Sequence, residues 1–141
     1  MKIHIINGPN LNVLERRQLY GGISLDEIQK VCLERSKQLN IRAVCWQSNY
    51  EGEIVEYIQN LQSDGLVINA AAYTHTSIAI LDALSILTIP IVEVHISNIF
   101  QREDFRKNSY ISTVASAIIS GMGIDGYKFA IEHLHNLIKL N

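Results

Sequence analysis

The chain has 141 residues, of which 48% are hydrophobic and 18% are charged, and its formal net charge is −2. This composition is typical of one folded domain spanning residues 1–141, and it argues against a disordered protein. The small net charge argues against nucleic-acid and membrane-surface partners. No apolar run approaches the roughly 20 residues of a membrane-spanning helix, so we expect a soluble, cytoplasmic protein.

Short segments rich in Ile and Val alternate along the chain with segments of helical periodicity. The apolar segments are bounded by Gly, Pro, Asn or Ser, which is the pattern of strands buried on both faces. The predicted strands are 2–6, 41–46, 65–69, 89–96 and 112–120. The predicted helices are 24–40, 51–63, 76–86 and 125–140. The first helix opens with Ser24 and Glu27 at the spacing of a capping box.

This alternation predicts an α/β fold. Parallel strands need crossover connections, and the crossovers place helices on both faces of the sheet. We therefore expect a three-layer sandwich around a five-stranded parallel sheet of order 2-1-3-4-5. Polar or glycine residues follow every predicted strand, and ligands of open α/β sheets bind outside the carboxyl ends of the strands.

Two histidines at this edge are candidate site residues. Glu93 and His95 share one face of a strand, so the carboxylate can bond one imidazole nitrogen and leave the other for a ligand. An isolated strand-end histidine is as readily an ordinary structural residue as a functional one, but this neighbour favours acid–base chemistry. His75 is either part of a cap motif or a ligand contact, and its position after Asn69 favours the contact.

Other motifs are interpreted as structural. Cys32 and Cys45 are too far apart for a CxxC site, and we expect them to be packing residues. The segment "GMGIDG" at 121–126 matches GxGxxG, but too few residues follow it to supply the acidic ribose ligand of a dinucleotide site. Glu93 and His95 are only two potential metal ligands, and Asp82 is the only other obvious candidate, so no metal site is expected.

The long polar link at 14–22, "LERRQLYGG", carries two arginines and one tyrosine. Loops of this length inside a compact domain are often lids. This one begins at the ligand edge of the predicted sheet.

Several motifs together resemble the type II 3-dehydroquinate dehydratases. They are "INGPNLNVL", "YGG", "QSNYEGEIVEYI", "VINAAAYTHTSIAILDA", "VEVHISN", "REDFRKNSY" and "GMGIDGY", and the match runs from about Lys2 to His133. The resemblance implies a flavodoxin-like fold, a homododecamer built as a tetramer of trimers, and no cofactor. It also implies dehydration of 3-dehydroquinate to 3-dehydroshikimate by anti elimination through an enolate, a shikimate-pathway reaction that serves aromatic amino acid biosynthesis or quinate breakdown.

The resemblance also implies roles for individual residues. Tyr20 matches the catalytic base, Arg17 the arginine beside it, and His95 the general acid. Asn10 matches the residue that positions a water near the enolate, and Glu93 the carboxylate that orients the acid. The residues that match substrate-binding groups are Asn69, His75, Ile96, Ser97, Arg106 and, from a neighbouring subunit, Asp82.

The chemistry requires these residue types. Ionising a free tyrosine at pH 7 costs about 4 kcal/mol, and a guanidinium about 4 Å away contributes roughly 4 kcal/mol at an effective dielectric of 20. The lid is shorter than is usual in the family, which leaves Arg17 and Arg16 both open as the partner of Tyr20.

No lysine lies at the carboxyl edge of a strand, so a Schiff-base mechanism has no candidate residue. The alternative functions are a flavodoxin-like module without catalysis and a sugar-acid binder with a shortened lid.

Overall fold

A computed structural model describes residues 1–140 of the chain. Its strands form one parallel sheet of order β2-β1-β3-β4-β5, which confirms the predicted topology. The strands are β1 Lys2–Asn7, β2 Arg42–Gln47, β3 Gly65–Asn69, β4 Ile91–His95 and β5 Ala117–Ser120. The helices are α1 Leu25–Gln38, α2 Glu51–Gln59, α3 Ile78–Ser85 and α4 Asp125–Leu140.

Two apolar clusters, one on each face of the sheet, make the three layers. Helices α1 and α4 cover one face and α2 and α3 the other. Successive strand residues point to opposite faces, so Ile5 belongs to the α1–α4 cluster while the next residue, Ile6, belongs to the α2–α3 cluster. The near-continuous apolarity of the strands is thus explained by burial on both faces.

Local signals set most of the helix ends. Ser24 accepts a hydrogen bond from the Glu27 amide, and Glu27 accepts one from the Ser24 amide, so the predicted capping box begins α1. Ser77 caps α3 by accepting from the amide of Ile80. The Asn60 side chain bonds the Glu56 carbonyl, and α2 ends at Gln59, short of the predicted end.

The predicted start of the last strand is wrong. Residues 112–116, predicted as strand, precede β5, and Ile111–Thr113 forms a 3-10 turn instead. The reason is a tertiary contact, because the Ser112 hydroxyl donates to the buried carboxylate of Glu93. Strand β4 is also shorter than predicted and begins after Pro90, which has no amide hydrogen for a sheet ladder.

The residues interpreted as structural lie in the framework. Cys32 is buried in the α1–α4 cluster, and Cys45 packs against that cluster. His4, on β1, has a polar partner, because its Nδ1 lies 2.9 Å from the Tyr57 hydroxyl. Among residues 1–140, no helix combines the length and apolarity that crossing a membrane requires.

Candidate active site

A cavity of about 400 Å³ opens at the carboxyl edge of the sheet. The loops that follow β1, β3 and β4 form its walls, so it lies where the polar strand ends predicted a ligand site. The predicted site residues that line it are Asn10, Arg17, Tyr20, Asn69, His75, His95, Ile96, Ser97 and Arg106. Arg16 and Arg102 line it as well.

Close backbone contact fixes the floor of the cavity. The Gly8 amide donates to the Asn69 carbonyl at 2.7 Å, and a Cβ atom on Gly8 would lie 2.5 Å from the carbonyl oxygen of Ala70. Only glycine fits this approach. The loops after β1 and β3 are therefore held against each other, which places Asn10 and Asn69 on one cavity.

Glu93 orients His95 from below the cavity. The Glu93 side chain is fully buried, and its Oε1 accepts the Nε2–H of His95 at 2.7 Å. Oε1 also accepts from the Ser109 hydroxyl at 2.5 Å, and Oε2 accepts from the Ser112 hydroxyl. Burial alone would raise the pKa of Glu93, but the bonds from these three donors outweigh burial and hold that pKa below its usual value. The carboxylate is therefore ionised, and Nδ1 of His95 remains for a ligand.

His75 faces His95 across the cavity, with the ring centroids 6.5 Å apart and the ring planes within 18° of parallel. Its Nδ1–H donates to the Asn108 carbonyl at 2.7 Å, which leaves Nε2 as the acceptor. Burial lowers the pKa of His75, and the nearby His95, Arg106 and Arg102 lower it further against the opposing Asn108 bond. His75 is therefore neutral at pH 7 and can accept a hydrogen bond from a ligand.

The lid brings Tyr20 to the cavity lining. It is not an irregular loop, because Leu11–Arg16 and Gln18–Tyr20 form 3-10 turns, and Leu11 and Leu14 are buried in the core. The guanidinium carbon of Arg17 lies 5.1 Å from the centroid of the Tyr20 ring. Of the two arginines that the sequence left open, Arg17 thus lies over the tyrosine.

A third arginine contacts the hydroxyl oxygen of Tyr20. Nη1 of Arg102 donates to the Tyr20 hydroxyl at 3.3 Å, and the Arg102 side chain is 15% exposed. Arg106 lies four residues later, and its Nε donates to the Glu103 carboxylate at 3.1 Å. Four arginines therefore line the cavity, and none of the lining residues in the described chain is acidic. This charge favours an anionic ligand.

The chain after β4 presents backbone amides. The Gly121 amide bonds the His95 carbonyl, and the Gly123 amide bonds the Ile96 carbonyl. Because the C=O and N–H of a trans peptide point in opposite directions, the amides of Ile96 and Ser97 point away from this glycine turn. Positive φ angles of 84° at Gly121 and 59° at Gly123 make the tight turn from β5 to α4 possible, which agrees with a structural role for these glycines.

One predicted substrate-binding residue lies elsewhere. Asp82 is exposed on α3 and does not line the cavity of its own chain. Among residues 1–140, no group of three or more His, Cys, Asp or Glu side chains is arranged to hold a metal ion.

Known proteins are similar to this chain in sequence and in fold. The family model for class II dehydroquinases matches residues 1–135. The chain belongs to the class II dehydroquinase family. It is 50% identical over 137 residues to a 3-dehydroquinate dehydratase of Rhodopseudomonas palustris strain TIE-1, with 94% of this chain and 91% of that one covered. It is 52% identical over 136 residues to the 3-dehydroquinate dehydratase of Bartonella tribocorum, with 94% and 91% covered.

A solved dehydroquinase has the same fold. The type II dehydroquinase of Butyrivibrio crossotus superposes with a TM-score of 0.91 at 46% identity, covering 95% of this chain and 97% of that one. The fold is therefore the flavodoxin-like fold of type II dehydroquinases, as predicted. The family is one of hydro-lyases, and this dehydroquinase is accordingly an enzyme of the lyase class.

Three residues without a role in the sequence analysis contact predicted site residues. They are Arg102, Ser109 and Ser112, which lie in or beside the "REDFRKNSY" segment. Arg102 lies four residues before Arg106, and this spacing is the one local signal that could have indicated it. The serines carry no such signal, because their partner Glu93 lies in a different element.

Proposed function

We propose that this chain is a single-domain 3-dehydroquinate dehydratase, spanning 1–141, that forms 3-dehydroshikimate in the shikimate pathway. The observation that carries the proposal is the pairing of Tyr20 with Arg102 and of His95 with Glu93 on one arginine-lined cavity. The family and the names of its relatives support the same reaction. The substrate is a carboxylate, which agrees with the charge of the cavity.

Tyr20 is the proposed base. The proton to be removed lies next to the substrate ketone, and its removal gives an enolate. A tyrosine can accept this proton only as a phenolate, and the guanidinium of Arg102, 3.3 Å from the phenol oxygen, stabilises that negative charge. Arg17 over the ring adds to the positive potential. No bound cofactor is required by this step.

His95 is the proposed general acid. As an imidazolium it gives the Nδ1 proton to the hydroxyl that leaves the carbon beyond the enolate, and water departs. The Glu93 carboxylate, bonded to Nε2 at 2.7 Å, fixes the ring and stabilises the imidazolium before the transfer. Tyr20 comes from the link after β1 and His95 from the end of β4, which supports the approach of base and acid from two sides of the substrate in an anti elimination.

The remaining residues hold the ring of the substrate. Arg106 is placed to pair with a hydroxyl or the carboxylate, and the amides of Ile96 and Ser97 supply further donors for the carboxylate. His75 accepts from a substrate hydroxyl through Nε2, and Asn69 offers an amide. Asn10 positions a water near the enolate oxygen, whose developing charge such donors stabilise.

Asp82 is the proposed contribution of a neighbouring subunit. Its exposure on α3, outside the cavity of its own chain, supports a role across a subunit contact. The corresponding assembly is a homododecamer built as a tetramer of trimers. The cytoplasmic location remains a prediction from composition.

The test of this function is a spectrophotometric assay of the purified protein with 3-dehydroquinate. The product is a conjugated enone, so ultraviolet absorbance should rise with time, and His95→Ala should abolish most of the rise. Binding of 3-dehydroquinate in calorimetry without turnover would contradict the proposal and support a sugar-acid binder. If the assembled protein neither bound nor turned over 3-dehydroquinate, both the dehydratase and the sugar-acid-binding function would be excluded.

A further inference from the structure

The hydroxyl of Tyr127 lies directly behind the cavity. Tyr127 is in the first turn of α4, and its side chain is fully buried. Its hydroxyl lies 2.7 Å from Oδ1 of Asn7, at the end of β1, and 2.9 Å from Nδ2 of Asn69, at the end of β3. One tyrosine therefore joins a helix to the carboxyl ends of two neighbouring strands.

A contact with the backbone of Ala71 sets the orientation of the Asn69 amide in this chain of bonds. The Ala71 amide donates to Oδ1 of Asn69 at 3.1 Å, so Nδ2 is the atom that faces Tyr127. Nδ2 donates one hydrogen to the Tyr127 oxygen, and the Tyr127 hydroxyl donates its own hydrogen to Asn7. An amide nitrogen has two hydrogens. The second hydrogen of Asn69 is left for a group in the cavity that Asn69 lines.

A glycine in the first turn of α4 allows this contact. A Cβ atom on Gly126 would lie 3.2 Å from Cγ2 of Ile119 and 3.4 Å from Cγ1 of Val94, so the first turn of α4 packs tightly on the sheet. The "GMGIDGY" motif, which binds no dinucleotide in our interpretation, has a use here. It brings the tyrosine that ends it to the edge of the sheet.

Tyr127 cannot serve as a second base. Burial raises its pKa above the ordinary tyrosine value, although the bond from Asn69 opposes this shift, so it remains a neutral phenol at any pH of enzyme activity. A neutral phenol can accept from one partner and donate to another, which is what the two distances require.

We propose that Tyr127 is a positioning residue that holds the Asn69 amide in the orientation that presents one N–H to the substrate. Tyr127 touches no substrate and acts only through Asn69. The predicted effect on kinetics rests on the proposed function, in which Asn69 binds the substrate. Its structural content, the fixed orientation of the amide, stands apart from any activity.

The kinetic test is Tyr127→Phe, with Tyr57→Phe as the matched control. Both changes remove one hydrogen-bonded hydroxyl, but that of Tyr57 bonds His4, outside the cavity. Loss of a positioning bond should raise KM about tenfold in Tyr127→Phe, with kcat changed by less than about threefold, because Asn69 binds substrate and transition state alike. Tyr57→Phe should keep both constants. Wild-type KM in Tyr127→Phe would overturn the proposal.

A double-mutant cycle separates positioning from general destabilisation. In an Asn69→Ala background, Tyr127→Phe should have no further effect on kcat/KM, because the group it positions is gone. A full additional loss there would mean that Tyr127 acts by another route and would overturn the inference. If Tyr127→Phe does not fold, Asn7→Ala replaces it in the same cycle, since it removes the acceptor that orients the tyrosine hydroxyl.

A crystal structure distinguishes failure of this inference from failure of the proposed function. In Tyr127→Phe, or in Asn7→Ala if the first does not fold, the Asn69 side chain should rotate or become disordered, whether or not the protein turns over 3-dehydroquinate. An Asn69 amide that keeps its wild-type orientation would overturn the inference even in an active enzyme. A moved amide in the variant, together with a wild-type protein that shows no dehydratase activity, would support the inference and reject the function.

Discussion

Replacing Arg102 with alanine should remove the main stabilisation of the Tyr20 phenolate. The guanidinium nitrogen lies 3.3 Å from the phenol oxygen. At that distance two unit charges interact by about 5 kcal/mol at an effective dielectric of 20 and by about 1 kcal/mol in water. The Arg102 side chain is 15% exposed, so water screens the pair in part. An intermediate interaction energy of about 3 kcal/mol between Arg102 and the phenolate corresponds to a loss of roughly 100-fold in kcat.

The assay follows enone absorbance at saturating 3-dehydroquinate for Arg102→Ala, Arg102→Lys and Arg42→Ala. The lysine variant retains the charge without the planar donor geometry, so its loss should be intermediate. Arg42 is exposed at the start of β2, far along the strand from the ligand edge, and its removal should leave kcat unchanged. If Arg102→Ala turned over as fast as wild type, the assignment of Arg102 to the phenolate would be wrong.

Four further substitutions probe other parts of the structure. Glu93→Gln should lower kcat by about 10-fold to 100-fold, because a neutral amide cannot stabilise the imidazolium; rates at the wild-type level would exclude that role. The pKa of Glu93 is depressed in the folded chain, so its contribution to stability is present above about pH 4.3 and is lost as pH falls through the folded pKa. The wild-type melting temperature should therefore fall more steeply in acid than that of Glu93→Gln, and parallel curves would refute the linkage. Asp82→Asn and His95→Ala should each be poorly active alone, yet oligomers assembled from both should recover activity if Asp82 serves a neighbouring site; no recovery in verified mixed oligomers would place Asp82 elsewhere. Gly8→Ala should lower the free energy of unfolding by more than about 2 kcal/mol in chemical denaturation, because its Cβ would collide with the Ala70 backbone, and wild-type stability would show that this contact yields easily.

The topology was predictable because burial leaves a strong pattern in the sequence. Apolar strands alternating with amphipathic helices specify a covered parallel sheet, and the polar residues at the strand ends indicate its ligand edge. The Glu93–His95 pair was predictable for the same reason, since residues two apart on a strand share a face and the structure joins them at 2.7 Å.

The rest depends on contacts between residues far apart in the chain. Arg102 contacts Tyr20, which is 82 residues away in the sequence, and Tyr127 contacts Asn7, which is 120 residues away. No local pattern encodes either pair. The start of β5 was misplaced because Ser112 bonds Glu93, a tertiary contact that overrides the strand propensity of its neighbours. Such contacts determine the details of the site, while periodicity determines only where the site lies.

The turnover number of Tyr20→Phe in the enone assay decides whether a tyrosine base operates in this cavity. Phenylalanine keeps the ring that packs under Arg17 and removes only the oxygen that Arg102 contacts. With the base gone, kcat should fall by at least about 100-fold while the variant assembles as the wild type does. A kcat equal to that of the wild type would show that another group removes the proton.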